Sequence, residues 1–388
     1  MGNIHLSHDV SRLGFIKVFV FLTHPTTRMG SGVLLDRYYA RVSKHRDSDQ
    51  WMADKVGRGI GKMRPSQDTI SKNHLNLTVD LDFLRRDLNT WGKYGFALAS
   101  LFLKGTGNPV FYEEAELEKE LSKRGLVATL ERGEQLVFST SLISKDPDGI
   151  FPLLLLLSRE RPSDTRTVVE QYFDEVAQWY SRKSQVEPDG RKQIGCLEGE
   201  HQFAKKARDL RQETEFKQTV RETHVHCTEQ VAPRLEYLYD LGYVSREGRS
   251  YLLTDFGESL KKWALSLFEK NIKRGEKPLI AKVLDEELSL LSELSVLYGS
   301  GLAQSNLDDF RSGFSAVSSY FANAGSAILS YENTFLCLAA IAANEGRRLS
   351  LATYEQGLEG LAEKKFVSYS NLVAERRYIK LLRRSSFP

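Results

Sequence analysis

At 388 residues the chain exceeds what one hydrophobic core organises, so two or three domains of roughly 100–150 residues are expected. A composition 41% hydrophobic and 27% charged, with ten prolines, excludes a disordered or collagen-like chain, and a formal net charge of +3 excludes a molecule-wide field that gathers polyanions. The three cysteines, Cys196, Cys227 and Cys337, are irregularly spaced, which argues against a disulfide framework and for a reducing compartment, the cytoplasm by default.

The near-neutral total hides segregation. Residues 36–72 carry nine Lys/Arg against five Asp, and residues 364–388 carry seven against Glu375 alone, so the remainder is net acidic. The apolar stretches Phe15–Leu22 and Leu153–Leu157 are far shorter than the ~20 residues of a membrane span, and Leu6 breaks the myristoylation pattern after Gly2. No membrane association and no targeting signal are expected.

In chain order, Phe15–Leu22 is rich in β-branched and aromatic residues and predicts a strand. Residues 30–76 suggest helices broken by loops, and Leu81, Leu84 and Leu88 return to a helical spacing. A helix over Glu113–Arg124, a stop at Gly125, and strands at 126–130 and 136–138 around Glu131-Arg132-Gly133-Glu134 form a first helix-and-hairpin pattern. Pro152 predicts the start of an apolar helix and Ser163-Asp164 the start of another through Tyr180, followed by a linker over 181–199.

The pattern recurs more completely after a helix at 203–221. Thr228 caps a helix over Glu229–Leu241 with Val231, Leu235, Leu238 and Leu241 on one stripe, Gly242 ends it, and Tyr243-Val244 and Tyr251-Leu252-Leu253 form a hairpin. Thr254-Asp255 then caps an amphipathic helix. A helical pair follows at 280–298 and 306–329, whose apolar excess suits either internal packing or a partner surface. A third copy comprises helices at 331–343 and 350–363 and strands at 366–369 and 377–381. The expected fold is mostly α with small β-hairpins (α+β): a mixed basic region at 1–80, helix-and-hairpin domains at 81–145, 200–275 and 331–388, and helical segments at 146–199 and 276–330.

The segment from Thr228 to Leu260 resembles the recognition helix, wing and exit helix of winged-helix regulators such as the MarR and PadR families, through Leu235, Leu238, Gly242, Tyr243, Val244, Thr254 and Gly257. It covers about 35 of 388 residues and implies that the three helix-and-hairpin domains are tandem winged-helix domains joined by helical segments. The resemblance implies a helix entering the major groove of double-stranded DNA through Gln230 and Arg234, with Arg246 and Arg249 on a basic wing. Pro233 and the acids Glu229, Glu236 and Asp240 depart from that pattern. The leading expectation is a DNA-binding regulator or the DNA-contacting subunit of a larger complex. Winged helices also dock proteins, so a protein partner or homodimer is expected too, and an adaptor is the alternative. In that reading the chain is similar to the kleisin-binding adaptor subunits of SMC-type ATPase complexes, bacterial antiviral defence complexes included.

Gly57-Arg58-Gly59-Ile60-Gly61-Lys62-Met63-Arg64 has the wrong spacing for a nucleotide-binding loop, since Val56 stands where the first glycine belongs and Met63 where a hydroxyl is needed. Arg58, Lys62 and Arg64 remain candidate phosphate contacts, as do Arg376, Arg377 and Lys380 of the basic C-terminus. Cys196, His201, His224, His226 and Cys227 lack the spacing of a zinc site, and Glu215-Phe216-Lys217 lacks the core strand a nuclease needs. No catalytic triad, dinucleotide fingerprint, cofactor, metal or small-molecule substrate is inferred, so the chain reads as non-catalytic.

Overall fold

The computed structural model describes residues 12–23, 27–46, 67–86, 89–102, 130–184, 231–274, 287–323, 328–370 and 378–382, and these are mostly helical with a few small sheets. No helix among them is long and apolar enough to cross a membrane. The chain divides into two compact units. One comprises Met1–Leu13, Val56–Met63 and Leu142–Glu286; the other comprises Gly14–Lys55, Arg64–Ser141 and Glu287–Pro388.

The second of these units begins with α1 (Gly14–Leu22), α2 (Ser31–Arg46), α3 (Gln67–Asp80) and α4 (Lys93–Ser100). Phe15–Leu22 is therefore a helix, where its residue types predict a strand. Phe15, Ile16, Val18, Phe19 and Val20 are all buried because α2, α3 and α4 pack around α1, and a short run without a polar face carries no period by which helix and strand can be told apart. Lys17 is buried in the same run, and its Nζ donates to both carboxylate oxygens of Glu134 at 3.1 and 3.0 Å. The helical spacing at Leu81 and Leu84 is also overturned. α3 stops at Asp80, Asp82 and Asn89 adopt φ of 58° and 45°, and Leu84 pairs with Trp91 across a tight loop.

Helix α5 (Arg132–Lys145) contains Leu136-Val137-Phe138, which is thus helical rather than a strand. The predicted turn at 131–134 is its start: the Glu131 N–H donates to the Glu134 carboxylate at 2.9 Å, half of a capping box. The rest of that first copy, 113–129, lies outside the described residues, as does the helix expected at 203–221.

In the first unit, α6 (Pro147–Leu156) is opened by Pro147, and Pro152, expected as its first residue, sits inside it. Ser163–Asp164 forms strand β1, and α7 (Thr165–Ser184) follows at once, with Asp164 Oδ1 accepting from the Thr167 N–H at 2.7 Å. A helix α8 is described over 231–240. Strands β2 (Val244–Glu247) and β3 (Ser250–Leu253) make the expected hairpin, and α9 (Asp255–Arg274) leaves it, capped by Thr254 Oγ1 on the Gly257 N–H at 3.1 Å. The sheet is antiparallel in the order β1-β3-β2, with Ser163 opposite Tyr251 and Val244 opposite Leu253. Phe151 of α6 stacks on Trp179 of α7 at 5.2 Å.

The second unit resumes with α10 (Glu287–Tyr298), β4 (Ala303–Gln304), α11 (Leu307–Asn323), β5 (Ile328–Ser330), α12 (Tyr331–Asn344), β6 (Arg347–Arg348), α13 (Leu351–Glu363), β7 (Val367–Ser370) and β8 (Tyr378–Leu381). β4 and β6 pair in parallel, and the other three strands form an antiparallel sheet in the order β5-β8-β7. These elements match the expectations for 331–381. Ser330 and Ser350 cap α12 and α13 through the N–H groups of Asn333 and Thr353. α12 is the core of the unit, buried from Asn333 to Ala340 and packed against α4, α10 and α11. Among the described residues, and leaving aside the two-residue β6 between α12 and α13, both units thus contain helix, strand, helix, helix and two strands in the same chain order, with the last strand in the middle of the sheet.

Candidate nucleic-acid interface

Helix α8 and the hairpin after it are built as the local sequence dictates. Val231, Leu235, Leu238 and Leu241 are fully buried along one stripe. Gly242 terminates the helix at φ +78°, a left-handed conformation open to glycine at little cost, and the Tyr243 N–H closes back on the Leu238 carbonyl at 2.9 Å. The hairpin reverses over Gly248-Arg249.

The charges on α8 are not where a groove reader needs them. Arg234, expected on the exposed face, is 7% exposed, and its Nε donates to Asp146 Oδ2 at 2.6 Å. Burial by itself would lower the Arg234 pKa, but the adjacent Asp146 carboxylate more than offsets it and the guanidinium stays charged. At the other end, Asp240 is paired with the Arg12 guanidinium and accepts from the Leu13 N–H at 2.9 Å. Burial pushes the Asp240 carboxyl up to about 6, against the pull of Arg12 and the Leu13 N–H and with a push from Glu236. Tyr237 between them is fully buried. None of residues 231–240 is exposed.

The charges of the hairpin are divided. Arg246 is half-buried, its Nη1 on Glu236 Oε1 at 3.1 Å, its Nε on the Gly248 carbonyl at 3.0 Å and its guanidinium 5.9 Å from the Tyr251 ring centre. Tyr251 donates to the same Glu236 oxygen at 2.5 Å. Arg249 is exposed and makes no ion pair among the described residues.

The corresponding helix of the second unit is α13. Its exposed residues Ala352, Gln356, Glu359 and Glu363 form one stripe, half-buried Glu355 accepts from the Tyr331 hydroxyl at 3.2 Å, and no Lys or Arg lies between Leu351 and Glu363. Lys380 lies exposed on β8, opposite Ile328 of β5 and Ser368 of β7.

Of the ten candidate contact residues, the structure therefore leaves Arg249 and Lys380 open to solvent and turns Arg234 and Arg246 onto carboxylates. Gln230, Arg58, Lys62, Arg64, Arg376 and Arg377 lie outside the described residues, as do Cys196, His201, His224, His226, Cys227 and Glu215–Lys217. Sequence reasoning missed Arg12 and Asp146 as the partners that close α8. A signal for Arg234 was present, since it lies three residues after Val231 and four before Leu238, next to the buried stripe. Among the described residues no cluster of His, Cys, Asp and Glu is placed to hold a metal ion. No protein-family model, curated protein or solved structure matches this chain.

Proposed function

We propose that this chain is a non-catalytic adaptor whose two helix–strand–helix–helix–strand–strand segments are winged-helix modules used to dock protein rather than to read DNA. The recurrence of one strand order, β1-β3-β2 and β5-β8-β7, with matching helices supports the winged-helix reading. The observation that carries the docking reading is the state of the two helices in the recognition position. α8 is enclosed, with its arginine neutralised by Asp146, and α13 presents glutamates, which phosphates repel. Among the described residues, neither offers a base edge the exposed Arg, Lys, Asn or Gln cluster that direct readout uses. The adaptor subunits of SMC-type ATPase complexes remain the partner class that the sequence resemblance suggests.

DNA contact is the second reading, and Arg249 at the wing tip is the observation that favours it. Fluorescence anisotropy of a labelled mixed-sequence duplex, titrated from about 50 to 200 mM salt, separates the two. Docking predicts weak binding with a salt slope worth about one or two phosphates, unchanged by Arg249→Ala. A slope of several phosphates that Arg249→Ala reduces by about one would replace the docking reading with the DNA reading.

A further inference from the structure

Three ion pairs whose members are both buried connect end to end. Arg12 pairs with Asp240 near the end of α8, and the Leu13 N–H donates to the same carboxylate at 2.9 Å. Gly14, the next residue, opens α1, whose Lys17 donates to Glu134 in the first turn of α5 at 3.1 and 3.0 Å. At the far end of α5 the Asp146 N–H closes on the Leu142 carbonyl at 2.8 Å, and the Asp146 carboxylate accepts from Arg234, back on α8, at 2.6 Å. All six charged side chains are at least nine-tenths buried.

Each pair lies within one compact unit, and the covalent chain is what carries the path from one unit to the other. Among the described residues the chain passes between the units at Leu13–Gly14 and at Ser141–Leu142, the second of these inside α5 itself. Arg12 stands just before the first crossing and Asp146 just after the second, and both are fastened to α8, at points about 9 Å apart along its axis. In the second unit, Lys17 and Glu134 fasten α1 to α5. Helix α5 is about 21 Å of hydrogen-bonded backbone, and a buried pair opened from one side leaves a charge that nothing solvates, so each link is either made or lost. Close-packed links of this kind transmit displacement instead of absorbing it. We propose that α8 is a coupling element: it fastens both crossings of the chain, so that whatever shifts α8 in the first unit loosens α1 and α5 in the second, and the reverse. Engagement of the first unit is thereby registered in the second, whether the partner is a protein or a duplex.

Hydrogen exchange read by mass spectrometry on the full-length chain tests the coupling, with circular dichroism as the folding control and α13, which takes no part in the path, as the internal reference. Asp240→Asn keeps the side-chain size and removes the charge that holds Arg12. Exchange in α1 and in residues 132–141 of α5 is expected to rise about tenfold, with α13 unchanged. Glu134→Gln, made in the second unit, is expected to raise exchange in residues 231–240 of α8 by a comparable factor, because coupling is reciprocal. Arg12→Lys retains the cation and is the milder second variant, expected to give the Asp240→Asn pattern at smaller amplitude. A change confined to the first unit in both Asp240→Asn and Arg12→Lys, an equal rise in α13, or a Glu134→Gln effect that does not reach α8 would each overturn the coupling. Those outcomes leave the docking reading standing, whereas steep salt-dependent duplex binding removes that reading and leaves the coupling untouched.

Discussion

Replacing Arg234 by alanine removes the cation from a pair in which both side chains are about nine-tenths buried and leaves the Asp146 carboxylate without the guanidinium 2.6 Å away. Breaking such a pair from one side costs about 3–5 kcal/mol, because the remaining charge is neither solvated nor neutralised. In a domain of 150–250 residues each kcal/mol lowers the melting temperature by about 2–4 °C, so a fall of about 6–20 °C is expected for the transition of the unit that contains α8. Differential scanning calorimetry of Arg234→Ala against the parent measures it. A second variant isolates the cause: Arg234→Met with Asp146→Leu removes both charges at similar volume and is expected to recover most of the loss. A groove-reading arginine behaves in the opposite way, with duplex affinity falling and thermal stability unchanged. Unaltered melting in Arg234→Ala would refute the enclosed pair and restore the exposed recognition helix.

Asp240 makes a pH prediction whose sign runs against ion-pair intuition. Its folded pKa, about 6, lies above the ordinary 3.8, so the folded state holds a proton that the unfolded state releases. The stability owed to this group is therefore greatest below about pH 4 and lost as pH rises to about 6. Urea unfolding of Asp240→Asn should lack that decline when compared with the parent between those limits, and parallel curves would count against it. Gly357 of α13 faces the Phe310 ring so closely that a Cβ would overlap it, and Gly357→Ala should cost about 1–3 kcal/mol by overpacking, read as a lower urea midpoint with unchanged slope. The Cys337 thiol is fully enclosed in α12, and burial pushes its pKa up to about 12, so peptide mapping after iodoacetamide treatment should find it unmodified in the native protein and modified in denaturant.

Much of the fold was legible in the residues themselves wherever a local signal decided it. Gly242 after the Val231–Leu241 stripe and Thr254 before α9 act within three or four residues of themselves, and each terminates or starts the element its chemistry predicts. Phe15–Leu22 failed because α1 is packed on several sides and an apolar run records burial rather than period. Leu136–Phe138 failed for the same reason inside α5, which removes the second strand of the hairpin expected at 126–138.

The sequence by itself thus determined where two hairpins, their capping residues and the helix that precedes each would form, because those depend on backbone conformation and on hydrogen bonds between near neighbours. Only the tertiary structure decided which way the charges face. Arg234 and Asp146 are 88 residues apart, and Arg12 and Asp240 are 228 apart. Whether an arginine points at solvent or at a carboxylate depends on what the rest of the chain brings beside it, and a one-dimensional pattern holds no record of that distance.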